Sequence, residues 1–210
     1  MHGSPHIVSD VMTRTVVAVA RGASFKEIVE TMAKWKVSAV PVLEGDGRVI
    51  GVVSEADLLS KEEYRDSDPT RAEQMRHLAE LAKAGAVTAE ELMSAPAVCV
   101  HTDTTLAQAA RAMAQRRVKR LPVTDSEGIL RGVVSRGDLL KVFLRPDDDI
   151  AEEVRREVVA YLFPGEPSPV RADVKEGVVR FTGTPRDTNP VPVAARLARA
   201  VEGVVDVEWD

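Results

Sequence analysis

Apolar residues recur along this chain in two rhythms that take turns. Phe25, Ile28, Val29 and Met32 fall at i, i+3, i+4 and i+7, and so do Leu106, Ala109, Ala110 and Met113. That spacing lines up one face of a helix and predicts a buried stripe in each segment. Unbroken apolar runs flank the helices: Val16 to Val19 and Ala97 to Val100 before them, Val40 to Leu43 and Leu121 to Thr124 after them. Runs this short predict buried strands. The turns Glu44-Gly45-Asp46-Gly47 and Asp125-Ser126-Glu127-Gly128 lead into third runs, Val49 to Val53 and Leu130 to Val134. Each last pair therefore reads as a hairpin. Ser24-x-x-Glu27 and Thr105-x-x-Gln108 have the form of capping boxes at the helix starts. Ser54-x-x-Asp57 and Ser135-x-x-Asp138 open another helix. Each segment is a β-α-β-β-α unit.

The two segments are one unit written twice. Val11-Met12-Thr13 overlays Leu92-Met93-Ser94, Val40-Pro41-Val42 overlays Leu121-Pro122-Val123, and Gly51-Val52-Val53-Ser54 overlays Gly132-Val133-Val134-Ser135, always 81 residues on and without a gap. The first copy is expected at 7–62 and the second at 87–145. Between them, 63–86 reads as a charged, partly helical connector.

Residues 147–210 follow a different plan. Asp147-Asp148-Asp149 favours a helix start because acids complement the helix dipole. Ile150, Val154, Val158 and Leu162 continue one face, and Phe163-Pro164-Gly165 breaks it. Val170, Ala172 and Val174 alternate, Glu176-Gly177 turns, and Val179-Arg180-Phe181 returns as a hairpin. A short helix from Val193 to Val201 and a strand from Val204 to Trp209 complete an α-β-β-α-β order. Val191, Val193, Ala194 and Leu197 read as core rather than as a membrane-facing stripe.

Composition narrows the function. The chain has 210 residues, 44% of them apolar and 29% charged, the mix of a folded globular protein. Its net charge of −5 argues against nucleic acid as the main partner, since such partners call for a basic surface. One cysteine, Cys99, sits in an apolar run and reads as a small buried hydrophobe. The four histidines show no metal-ligand spacing. Neither a leader-like start nor a membrane-length apolar run is present, so a cytoplasmic location is expected. No nucleophile–base constellation or GxxxxGK loop occurs, so the chain is expected not to be an enzyme and to require no cofactor.

The Val-Met-Thr type openings, the apolar-Pro-Val strands and the doubled Gly-Val-Val-Ser-x-x-Asp resemble a CBS-domain pair over roughly residues 7–145. The resemblance implies an α/β fold, of α+β type, and an adenosine-containing regulatory ligand of the AMP, ADP, ATP, NAD or S-adenosylmethionine class. Such a ligand would sit in the cleft of the pair. The Ser/Thr-x-x-Asp positions would contact phosphate and ribose, here Ser54 and Asp57, then Ser135 and Asp138. The residues before the apolar-Pro-Val strand would line the base slot, here Ser38 and Ala39, then Lys119 and Arg120. These side chains suit those roles, since helix N-termini favour anions and a carboxylate accepts from ribose hydroxyls. The same Ser-x-x-Asp is also a capping arrangement, and the two roles are compatible.

The copies differ in charge. Copy two has Arg117, Lys119, Arg120 and Arg136 near its motif, whereas copy one has Lys36 but also Glu55. The better phosphate site is therefore expected in copy two, supported by Arg136 with Lys119 or Arg120. Trp35 reads as packing or a subunit contact. The C-terminal segment is similar to a BON domain in Glu176-Gly177-Val178-Val179, Phe181-x-Gly183 and Gly203-Val204-x-x-Val207. The expectation is a ligand-gated regulator, homodimeric through the helices of the pair, with the BON domain as an interaction or output module toward an unknown protein partner. The alternative is a constitutive dimeric scaffold, at a membrane surface through the BON domain, without a small-molecule ligand.

Overall fold

The computed structural model describes residues 6–63, 85–165, 167–185 and 188–210. The connector expected at 63–86 lies almost entirely outside them. The described residues fall into two compact bodies, one from those within 12–104 and 108–135, the other from those within 6–11, 105–107 and 136–210.

In the first body each copy builds its own three-stranded sheet. β1 (Val19–Ala20), β2 (Ala39–Glu44) and β3 (Arg48–Ser54) lie in that order, as do β4 (Val100–His101), β5 (Arg120–Thr124) and β6 (Leu130–Ser135). The first pair in each sheet is parallel and the second antiparallel. The ladder slips at matching places, between Val42 and Leu43 and between Val123 and Thr124. The runs expected from Val16 and Ala97 pair only at their last positions, so the first strand of each sheet is two residues long.

The sequence repeat becomes a pseudo-two-fold pairing. Thr13 of copy one exchanges backbone bonds with Val133 of copy two at 2.9 and 3.0 Å, and Ser94 of copy two does the same with Val52 of copy one at 2.9 and 3.2 Å. Each copy's opening segment is thus stitched to the other's third strand. Gly51 and Gly132 leave room there for the side chains of Met93 and Met12.

The helices form where expected. Ser24 Oγ accepts from the Glu27 N–H at 3.3 Å to start Phe25–Trp35. Ile28 and Met32 are buried, together with Val40, Val42 and Val53, and Ala86, Ala89 and Leu92 close that core. Val29 departs from the expected buried stripe: it is 40% exposed, because the stripe narrows to Ile28 and Met32 where the helix meets the sheet. In copy two Leu106, Ala109, Met113, Leu121, Val123 and Val134 are buried.

In the second body Asp147–Val154 continues through a π-helical turn, Arg155–Val159, into Ala160–Leu162. β7 (Val170–Lys175), β8 (Val178–Gly183) and β9 (Asp206–Trp209) form a sheet in that order, with a helix at Val191–Ala200. Ile150, Val154, Val158 and Phe181 fill the core, and the Trp209 ring stacks 5.0 Å from that of Phe181. Val193, expected in this core, is 36% exposed. The helix turns Ala194 and Ala198 inward instead, small residues that let it approach the sheet. Asp147 does more than start a helix: its carboxylate accepts from the Glu176 and Gly177 N–H groups at 2.7 and 2.9 Å and clamps the hairpin turn. Among the described residues no helix is long and apolar enough to cross a membrane.

Candidate functional site

A cleft of about 470 Å³ opens in the first body. Val29, Met32 and Ala33 of the Phe25–Trp35 helix form one wall, and Lys36, Val37 and Ser38 of the following turn form another. Lys36 makes that turn in the left-handed region, with φ 52°, and the Val37 N–H bonds back to the Met32 carbonyl at 3.1 Å. Arg117, its counterpart in copy two, does the same with φ 55°. Glu55 and Leu58, at the start of the Glu55–Glu63 helix, face the opening. The ninth lining residue comes from copy two: Arg120 Nη2 donates to Ser38 Oγ at 2.9 Å.

This placement puts the Arg120 guanidinium on the copy-one side. Along the backbone Arg120 does sit opposite Ser135 in the β5–β6 ladder. Its side chain is long enough to leave the strand for Ser38, so its cation belongs to the copy-one cleft. Glu55, whose repulsion of phosphate depended on facing the site, lines that same cleft.

The remaining candidates separate into groups. Ala39 pairs with Ser54 across β2 and β3, and the Glu55 N–H bonds the Ser38 carbonyl at 3.0 Å. Ser38, Ala39 and Ser54 therefore share one sheet end. Asp57 Oδ2 accepts from the Ser54 N–H at 2.8 Å and from Ser54 Oγ at 2.7 Å. This is the reach-back arm of a cap, made by a carboxylate in the first turn. Ser135 closes β6 in the first body, and Lys119, just before β5, is exposed. Arg136 and Asp138 fall in the second body, where Asp138 Oδ1 accepts from Lys141 Nζ at 2.7 Å. Cys99 is half-buried, and burial pushes its thiol pKa up, against nucleophilic use. Trp35 is exposed, with the Lys34 ammonium 5.8 Å from its ring centre.

Sequence reasoning missed Val29 and Met32 as cleft residues because helical spacing assigns them to a core, and it did not single out Leu58. The usable signal was the pair Lys36 and Arg117, a basic residue at the same helix end in both copies.

The CBS domain model matches residues 8–63 and 89–145. The chain belongs to the CBS-domain family. Its two CBS segments are followed by a BON domain at 146–210. The CBS pair is similar to an uncharacterized protein of Methanocaldococcus jannaschii, 26% identical over 160 residues, which cover 69% of this chain and 95% of that protein. It is also similar to the chloroplastic CBS domain-containing protein CBSX2 of Arabidopsis thaliana, 27% identical over 155 residues, 67% of this chain and 64% of CBSX2. The match thus spans under two thirds of CBSX2. The crystal structure of CBSX2 in complex with AMP superposes with a TM-score of 0.58 at 27% identity, covering 66% of this chain and 97% of that one.

Proposed function

We propose that this CBS–BON protein is a ligand-gated regulator whose CBS pair binds an adenosine-containing nucleotide, with the BON domain as its interaction or output module. The observation that carries the reading is the cleft built by both copies, with Arg120 of one on Ser38 of the other. A ligand that draws on both copies favours one arrangement of the pair over another, which is what a switch requires. Lys36 and Arg120 supply two cations for a phosphate; Ser54 and Asp57 are the proposed phosphate and ribose contacts, and Ser38 and Ala39 the proposed lining of the base slot. Lys119, Ser135 and Asp138 hold the matching sequence positions in copy two, with Arg136 where copy one has Glu55. The AMP held by CBSX2 supports the ligand class.

A homodimer through the CBS helices belongs to the same proposal. Leu59 and Leu140 hold the same place in the two copies and are 62% and 60% exposed, and Phe143 and Leu144 extend the second patch. Exposed apolar side chains at matched positions suit a self-complementary contact.

The second reading, a constitutive dimeric scaffold, draws on the Ser54–Asp57 bonds, which already satisfy both groups as a cap. Calorimetry separates the two. AMP, ADP, ATP, NAD and S-adenosylmethionine are titrated into wild type and Arg120→Ala. At least one compound is expected to bind wild type and to bind the variant about tenfold more weakly or worse. No binding at millimolar ligand leaves the scaffold reading.

A further inference from the structure

The BON domain leaves one edge of its sheet open. β7 pairs with β8 alone, so among the described residues no strand lies on its other side. A groove of about 570 Å³ runs there, touching Val170, Arg171, Ala172 and Asp173 in succession. Successive side chains of a strand point to opposite faces, so a space that meets all four lies beside the backbone rather than over one face. Val159 and Phe163 give the groove an apolar far wall.

Such an edge recruits another strand unless its side chains forbid it, and charge is a common deterrent. β7 carries charges of alternating sign. Arg171 and Asp173 are both exposed, two residues apart on one face. Asp173 stands opposite Arg180 of β8, yet Arg180 turns its guanidinium to Glu208 at 2.8 Å and Asp210 at 3.6 Å. Neither Arg171 nor Asp173 has an ion-pair partner among the described residues.

We propose that β7 is a self-association edge, pairing antiparallel with β7 of a second copy about a two-fold axis at Ala172. In that register Arg171 of each copy faces Asp173 of the other, and Val170 faces Val174 on the opposite side of the sheet. Cross-strand pairs of opposite charge stabilise an antiparallel ladder, and like pairs oppose it. Two identical strands obtain two attractive pairs in this register only when the residues flanking the axis differ in sign, as they do here. The contact is isologous and joins two three-stranded sheets into one of six. A peptide from another protein would fit the groove but has no built-in reason to match the alternation, whereas a second copy matches it by symmetry.

Sedimentation velocity of the full chain over a range of concentrations tests this. Arg171→Asp and Asp173→Arg each place like charges across the axis and are expected to weaken one association step at least tenfold. An equimolar mixture of the two variants is expected to regain it, because each then meets its complement. The double exchange R171D/D173R is expected to regain it alone. Both side chains are exposed, so the variants should melt like wild type by circular dichroism, and association through the CBS helices stays as a common background. Indistinguishable profiles for wild type and all variants overturn the proposal. So does a loss in the single variants that neither the mixture nor the double exchange restores.

Discussion

Arg120 and Ser38 stand 82 residues apart in the chain and meet at 2.9 Å, one from each CBS copy. The contact ties the cleft of copy one to the first residue of β5 in copy two. If a nucleotide phosphate takes over this guanidinium, Arg120→Ala removes a charge-assisted bond worth about 1.5–3 kcal/mol, roughly a tenfold or greater loss of affinity. Lys119→Ala, at an exposed position outside the cleft, is expected to change affinity far less. Calorimetry on the two variants decides it. An equal loss in both would move the phosphate to copy two.

Glu55 lines the same cleft as Lys36 and Arg120, so under the proposed nucleotide binding it is expected to discriminate among ligands by charge. Glu55→Gln is expected to strengthen AMP binding a few-fold and to leave unchanged or weaken the cationic S-adenosylmethionine. The gain for AMP should grow at low ionic strength, where screening is weaker. Paired titrations at two salt concentrations measure it.

Ser54 has one hydroxyl proton, and Asp57 Oδ2 takes it. Donation to a phosphate therefore requires that hydroxyl to turn away from Asp57. Asp57→Ala removes the acceptor of both Ser54 donors and is expected to cost about 0.5–2 kcal/mol of stability, as for loss of a cap. Ser54→Ala should cost less, since the Ser54 N–H keeps its acceptor. Denaturant melts with and without saturating AMP separate the roles. A carboxylate that holds ribose loses the ligand-induced stabilisation as well.

The fold was largely legible because hydrophobic period and turn chemistry agree twice over. The register of Met12 with Met93 and of Asp57 with Asp138 located both copies, and Glu176-Gly177 marked the last hairpin, where both residues adopt positive φ. The cleft was less legible for three reasons. Arg120 lies beside Ser135 in the ladder but sends its side chain to Ser38, and backbone position does not set where a long side chain ends. Lys36 and Arg117 adopt a left-handed conformation that sequence reading looks for at glycine. Val29 keeps the spacing of a core residue while facing the cleft.

Glu91 gives the pair a pH dependence. Its Oε2 accepts from the Val87 and Thr88 N–H groups at 2.8 and 3.1 Å, and these bonds hold its pKa below the usual glutamate value. A carboxylate depressed in the folded state adds stability that is present above its unfolded pKa, about 4.3. That stability is lost as pH falls through the lower folded value. Wild type should therefore exceed Glu91→Gln in melting temperature at pH 7, and the gap should start to shrink as pH falls below the unfolded value, about 4.3, closing only below the depressed folded value. Thermal melts at several pH values check this, and a gap that does not shrink at all as pH falls from 7 into the acid range would assign the effect to something other than ionisation.

Gly51 and Gly132 test the pseudo-two-fold itself. A Cβ on Gly132 would come within 2.6 Å of Met12 Sδ and 3.0 Å of the Thr13 carbonyl oxygen, and one on Gly51 within 2.9 Å of Met93 Cβ. In each case the obstacle comes from the opening segment of the other copy, so a single methyl pushes on the seam between copies. Gly132→Ala is expected to cost about 1–3 kcal/mol, the usual range for overpacking. Part of the clash lies with the Met12 side chain, so Met12→Ala in the Gly132→Ala background should destabilise less than Met12→Ala alone. The remainder lies with the Thr13 backbone and should resist rescue. Denaturant unfolding of the four proteins gives the coupling directly. Simple additivity would mean that Met12 does not pack on Gly132 in solution, and with it that the seam is not the one described.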